Sequence, residues 1–237
     1  MARNKLVWLV CLSVLCVLPA GATLETYTTL EAWELAATQS GVTIDFSTLG
    51  VPAGGQSAWW QSLLVEPVTF TSPTGTGWMQ VHNASSVWST WGTAGPILWS
   101  NETLGALRAV WTTPVTAFAA LMGINSGGPT TWAGSQMDVR VRNGVTQQWG
   151  QTVVTSPHPT LTFFGIVSTD GAEPFNSVTF TPAETGVSSA FLDDVRLGAY
   201  NAPAPPEGET PELGTGVLSL CGGILLAAGG FRRHLKA

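Results

Sequence analysis

The chain has 237 residues, of which only 10% are charged, against roughly a quarter in an average soluble domain; with 27 Gly and 11 Trp, this excludes a charge-faced helical bundle and suits a β-protein with Thr, Ser, Asn and Gln on its solvent faces. Five of the nine basic residues (Arg3, Lys5, Arg232, Arg233 and Lys236) sit at the two ends, so the span between keeps four arginines against fifteen acids, a net charge of −11 that repels phosphates and excludes nucleic acid as a partner. Cys11, Cys16 and Cys221 all lie in terminal apolar segments, which leaves the middle of the chain without a disulfide, a thiolate zinc site or a cysteine nucleophile.

Arg3 and Lys5 precede the apolar run Leu6–Leu18. Pro19 ends that run, and Ala20-Gly21-Ala22 places small residues at the −3 and −1 positions of a cleavage site. This order predicts a secretory signal peptide over residues 1–22, cleaved after Ala22. Its apolar run is short against the ~20 residues a spanning helix needs.

One domain is expected over residues 23–201. Thr28-Thr29-Leu30-Glu31 reads as a capping box, and Leu30, Trp33 and Ala37 fall on one helical face, which predicts a short helix over Thr29–Thr38. Beyond it the period shifts to that of strands. The expected strands are Val42–Phe46, Leu63–Thr71, Met79–His82, Ile97–Trp99, Ala106–Trp111, Ala117–Ile124, Met137–Val141, Thr152–Thr155, Leu161–Val167, Ser177–Thr181 and Ser188–Leu197. Gly, Pro and Asn-Gly turns separate them, and Asn143-Gly144 predicts a type I′ hairpin. Many short strands at this spacing give a mainly β fold, a β-sandwich or jelly roll with one N-terminal helix.

Trp59, Trp60, Trp78, Trp88, Trp91 and Trp99 crowd one part of the chain. Tryptophan packs cores, but its flat face also stacks on the apolar face of a sugar ring. Trp88 and Trp91 flank the polar pair Ser89-Thr90 and are the better exposed candidates for glycan contact. His82, near a strand end, and His158, between two prolines, read as surface residues. Neither joins a hydrolase elbow, a zinc pair or a phosphate loop, so no catalytic residue is assigned. Asp193 and Asp194 are adjacent on the last strand and so face opposite sides.

After the domain, residues 202–210 form a Pro/Glu-rich tether. Pro211-Glu212-Leu213-Gly214-Thr215 follows, then the uncharged stretch Leu213–Phe231, long enough to span a bilayer, and Arg232-Arg233. The arginine pair predicts a cytoplasmic C-terminus. This order resembles the PEP-CTERM sorting signal: a Pro-Glu-Pro motif, an apolar helix and a basic end. Pro211 and Glu212 match the motif, whereas Leu213 replaces its second proline. The resemblance covers residues 211–237. It implies export in a Gram-negative bacterium, anchoring in the inner membrane and processing by an exosortase, after which the protein reaches the cell surface or an exopolysaccharide matrix. A plain C-terminal anchor predicts the same topology.

Val115–Leu121, Phe163–Ile166, Val178–Phe180 and Phe191–Gly198 resemble strand motifs of jelly-roll, carbohydrate-binding-like extracellular modules. That similarity implies an adhesive or matrix role without a catalytic residue; no cofactor is expected beyond a structural calcium, for which Asp45 and Asp194 are the candidate pair, as many jelly rolls bind calcium through an early-strand and a late-strand acid. The expectation is therefore an exported, non-enzymatic surface or matrix protein, with a carbohydrate-binding module built on the Trp-rich segment as the alternative.

Overall fold

In a computed structural model of the chain, the residues described are 23–73, 77–83, 95–101, 105–126, 135–157, 159–169, 173–183 and 188–202. In chain order the elements are β1 (Leu24–Tyr27), α1 (Leu30–Ala36), β2 (Ala37–Ile44), a 3-10 turn (Ser47–Leu49), β3 (Ser62–Val65), β4 (Val68–Thr71), β5 (Trp78–Asn83), β6 (Pro96–Asn101), β7 (Leu107–Val115), β8 (Ala117–Ser126), β9 (Gln136–Asn143), β10 (Thr146–Val154), β11 (Thr162–Ser168), β12 (Phe175–Pro182) and β13 (Ser188–Tyr200).

The strands form two antiparallel sheets. One has seven strands in the order β1-β11-β8-β13-β6-β5, with β2 also pairing to β13; the other has six, β10-β9-β12-β7-β4-β3. Strands β6 to β13 therefore give 6-13-8-11 in one sheet and 7-12-9-10 in the other, the double Greek key of a jelly roll.

Alternation places the core. Leu107, Ala109 and Trp111 of β7 are buried from one sheet, and Phe118, Ala120, Met122 and Ile124 of β8 from the other, within one apolar cluster. Aromatic contacts cross between the sheets: Phe118 lies 5.5 Å from Trp111 and 6.0 Å from Phe180, and Phe164 lies 5.8 Å from Trp149. Burying each such ring contributes about 1.5–3 kcal/mol.

Helix α1 is capped by Thr29, whose Oγ1 accepts from the Ala32 N–H at 3.3 Å. The cap falls one residue later than the capping box predicts, and the helix gives way to β2 directly at Ala37. The segment expected as one strand, Leu63–Thr71, is two, because the chain reverses at Glu66-Pro67 and Val65 pairs with Val68. The β9–β10 turn is also shifted. Thr146 pairs with Asn143, so Gly144 and Val145 are its two loop residues. Positive φ at Gly144, with none at Val145, matches a type II′ turn in place of type I′. The expected signal peptide (Ala20 and Ala22 included), nearly all of the tether, the sorting motif Pro211–Thr215, the apolar stretch and Arg232-Arg233 lie outside the described residues. Among the described residues no helix is long and apolar enough to cross a membrane.

Candidate functional site

The outer face of the seven-stranded sheet has two ends. At one end α1 packs flat: Trp33 is fully buried against Ala117, Ala119 and Val167. Gly165 makes that approach possible, since a Cβ there would lie 2.6 Å from Trp33 Cδ1. The other end, built by β5, β6 and the start of β13, is where the tryptophans gather.

In β5 the core takes Met79 and Val81, so Trp78, Gln80 and His82 turn to the outer face. In β6 the core takes Leu98, and Ile97 and Trp99 turn outward to join Phe191 of β13. The register sets Gln80 opposite Trp99, Trp99 opposite Phe191, and Phe191 opposite Gly123 of β8, a single cross-strand row. Beyond β5 the segment Gln56–Trp60 runs alongside as an added edge, with paired backbone bonds of 2.9 and 2.7 Å between Trp60 and Met79. Gln80 Nε2 donates to Ser57 O at 2.8 Å and fixes that segment. Trp60 packs against the core, so its neighbour Trp59 faces the other way.

Trp59 meets Trp99 at 5.7 Å with a tilt of 51°, and Trp99 lies nearly parallel to Phe191 at 6.2 Å. His82 sets its ring edge-on to Trp99 at 4.7 Å. Trp59 and Trp78 keep 41% and 47% of their surfaces open. The result is an apolar face with two exposed indoles, of which Trp59 is set against the half-buried Trp99 and, behind it, the buried Phe191, beside the amide side chains of Gln56 and Gln80.

His82 corrects its sequence reading as a surface residue. It is 3% exposed, and its Nε2 donates to Gln80 Oε1 at 2.9 Å. Burial pushes its pKa down to about 4, so the platform is uncharged at neutral pH. His158, and the two tryptophans favoured from sequence, Trp88 and Trp91, lie outside the described residues.

Where β13 changes partner, from β6 at Phe191–Leu192 to β2 at Val195–Tyr200, it carries a bulge. Asp194 takes a left-handed conformation there (φ 49°), and its N–H donates to Asp193 Oδ1 at 2.8 Å. Asp193 is 6% exposed; burial pushes its carboxyl up to about 7, and the charges of Asp194 and Asp45 add to that rise. The two acids paired from sequence for calcium are each engaged elsewhere. Asp194 Oδ2 binds Arg196 at 2.8 Å, and Arg196 also binds Glu34 at 2.9 Å. Asp45 Oδ1 accepts from the Ser47 hydroxyl and N–H, which hold its pKa below the usual carboxylate value. Among the described residues no group of three or more His, Cys, Asp or Glu is placed to hold a metal.

The sequence places Trp59 and Trp78 in the crowded segment, but the preference for Trp88 and Trp91 passed over them, although a signal of their exposure was present. Trp78-Met79-Gln80-Val81 alternates with Met and Val inward, and of the adjacent pair Trp59-Trp60 one ring must face away from the core.

No family model matches this chain, and no curated protein matches it. Similar solved structures are family 29 carbohydrate-binding modules. One, complexed with mannohexaose, shares 13% identity over 69% of this chain and 93% of its own, with a TM-score of 0.40. A second, complexed with cellulohexaose, has a TM-score of 0.33 at 12% identity over 70% and 94%. A third covers 76% of this chain and 91% of its own at 10% identity and a TM-score of 0.31. Overlaps this loose carry no residue-level correspondence.

Proposed function

We propose that this protein is an exported, non-enzymatic carbohydrate-binding protein of the cell surface or extracellular matrix. The observation that supports this most directly is the pair of exposed indoles, Trp59 and Trp78, on a face where Trp59 packs against the half-buried Trp99 and Trp99 against the buried Phe191. An exposed indole loses water readily and offers a flat electron-rich face to the C–H groups of a pyranose. Holding the rings in place before the ligand arrives avoids ordering them on binding. The exposed Gln56 amide nearby supplies hydrogen bonds to sugar hydroxyls.

Export and anchoring belong to the same proposal. The signal peptide delivers the chain, and Leu213–Phe231 with Arg232-Arg233 holds it in the inner membrane. An exosortase-type enzyme then acts at Pro211-Glu212, leaving the domain at the surface or in an exopolysaccharide matrix. The tether before the motif suits a domain that must reach beyond the membrane.

A glycan array tests the binding reading on the Thr23–Asn201 fragment, which contains every described strand and the whole core. Mannohexaose and cellulohexaose belong among the probes, and the array is run with and without calcium. Retention of at least one neutral glycan supports the reading. Silence in both conditions leaves a structural matrix protein without a glycan ligand.

A further inference from the structure

Most of the few basic residues of this acidic domain stand on the sheet opposite the Trp59–Trp78 face. Residues 23–202 contain four arginines and no lysine. Three of the four, Arg108 of β7 with Arg140 and Arg142 of β9, alternate with Leu107, Ala109, Val139 and Val141, all of which enter the core. They therefore stand on the outer face of the six-stranded sheet.

Register places them relative to one another. Thr179 of β12 pairs with Arg108 on one side and with Arg140 on the other, so these two arginines share a row two strand spacings apart, about 10 Å. Arg142 stands in the next row, opposite Ser177. Arg108 Nη2 donates to Ser177 Oγ at 3.3 Å, which pins that guanidinium to the sheet, whereas Arg140 is exposed. Among the described residues the ion pairs belong to Arg196, and none involves these three arginines.

Beside Arg140 the sheet opens into a cleft of about 340 Å³ lined by Asp138, Arg140, Gln147, Gly150, Gln151 and Thr152. Gly150 pairs with Arg140 and leaves the floor without a side chain, and Gln147 Nε2 reaches within 3.0 Å of where a Cβ would stand. Asp138 is tied to Thr152, whose hydroxyl donates to Asp138 Oδ1 at 2.6 Å. Of the other acids among the described residues, Glu25, Glu31, Glu34, Asp45, Asp193 and Asp194 lie on the seven-stranded sheet or on the helix and turn beside it, while Glu66 in the β3–β4 turn and Glu173 before β12, which accepts from Gln148 Nε2 at 3.4 Å, sit at the ends of strands of the six-stranded sheet.

We propose that the outer face of the six-stranded sheet binds an acidic polysaccharide through the carboxylates of its uronate residues. Guanidinium is the group that pairs with carboxylate in a planar, two-bond geometry, and arginine is the only cation this face uses. The glutamine and threonine side chains around Arg140 match a partner rich in hydroxyls. Three arginines on a domain of net negative charge are too few to carry a nucleic acid, whose binding rests on neutralising many phosphates. This face is separate from the tryptophan platform and does not depend on the reading proposed for it.

Affinity electrophoresis of the Thr23–Asn201 fragment in polygalacturonate tests the assignment, with neutral dextran, dextran sulfate and duplex DNA in parallel. The expected result is retardation by polygalacturonate alone, fading as salt rises. The double variant R140Q/R142Q should weaken it by at least roughly tenfold, the scale of one lost charge-assisted bond, while its thermal midpoint stays near wild type. Migration unaltered by polygalacturonate overturns the proposal, as does equal retardation by dextran sulfate or DNA, or a double variant that binds like wild type. R140E, which reverses the charge at an exposed position, should abolish retardation and serves if the double variant fails to fold.

Discussion

Trp111 of one sheet lies 5.5 Å from Phe118 of the other, with the two rings within 9° of parallel, and its indole N–H donates to the Phe175 carbonyl at 3.0 Å. This contact joins the sheets through stacking and satisfies the one polar atom of a ring that is 97% buried. Trp111→Ala removes the ring and the hydrogen bond and leaves a cavity. It should destabilise the domain by about 3–5 kcal/mol. Trp78→Ala, on the open face, should cost much less, about 1–1.5 kcal/mol, since roughly half of its surface is covered. Urea denaturation of both variants checks the contrast.

Two buried groups on the outer face of the seven-stranded sheet should oppose each other in the pH dependence of stability. His82 has its folded pKa lowered to about 4 from 6.5, so the unfolded chain binds more protons between those values and stability falls as pH drops through that window. Asp193 has its folded pKa raised to about 7 from 3.8, so its contribution is complete below 3.8 and is lost as pH rises toward 7. Where the windows overlap, between about 4 and 6.5, the two slopes offset each other. Asp193→Asn should remove one of them, and the variant should then lose stability steadily on acidification below pH 6.5. Thermal melts from pH 4 to pH 8 read this directly; a variant whose profile parallels wild type would refute it.

The seat of α1 makes a third test. Gly165→Ala forces a methyl group to within 2.6 Å of Trp33 Cδ1, and the fully buried ring has no space to retreat. The substitution should destabilise by about 1–3 kcal/mol. Because Trp33 does not touch the Trp59–Trp99 platform, glycan binding at a temperature where the variant stays folded should be unaffected.

The tail is tested in the native host. If the tail is the sorting signal proposed above, Glu212→Ala should block processing and leave membrane insertion intact, because on that reading insertion rests on the apolar stretch and Arg232-Arg233. N-terminal sequencing of the exported protein should begin at Thr23. An unprocessed tail in wild type and variant alike would leave only a plain anchor.

Strands whose apolar residues alternate, such as Leu107–Trp111 and Met137–Val141, are legible in the sequence because each faces the core on one side only. β1 is not. Its semi-buried residues, Leu24 and Tyr27, are three apart and fit no strand period, and the strand forms only because β11 offers it a free edge. The first residues of β2 are hidden in the helical pattern, since Ala37 serves both as the last apolar position of α1 and as the first of the strand. His82 is misread for a non-local reason. Its outward position is legible, but its burial comes from Trp99, which arrives from another strand, and from the segment around Gln56 that bridges to it. The exposed Trp59 and Trp78 are legible in principle from alternation. The meeting of Trp59 with Trp99 is not, because it depends on the register of three neighbouring segments.

The proposed sugar-stacking surface rests on Trp59 and Trp78. Calorimetric titration of the Thr23–Asn201 fragment with the best neutral glycan from the array, repeated on the Trp59→Ala/Trp78→Ala double variant, tests it most directly. The double variant should lose about 1–3 kcal/mol of binding free energy for each stacked ring removed, the scale of nucleobases stacked on aromatic side chains, while remaining folded. A double variant that remains folded and binds with undiminished affinity would contradict it.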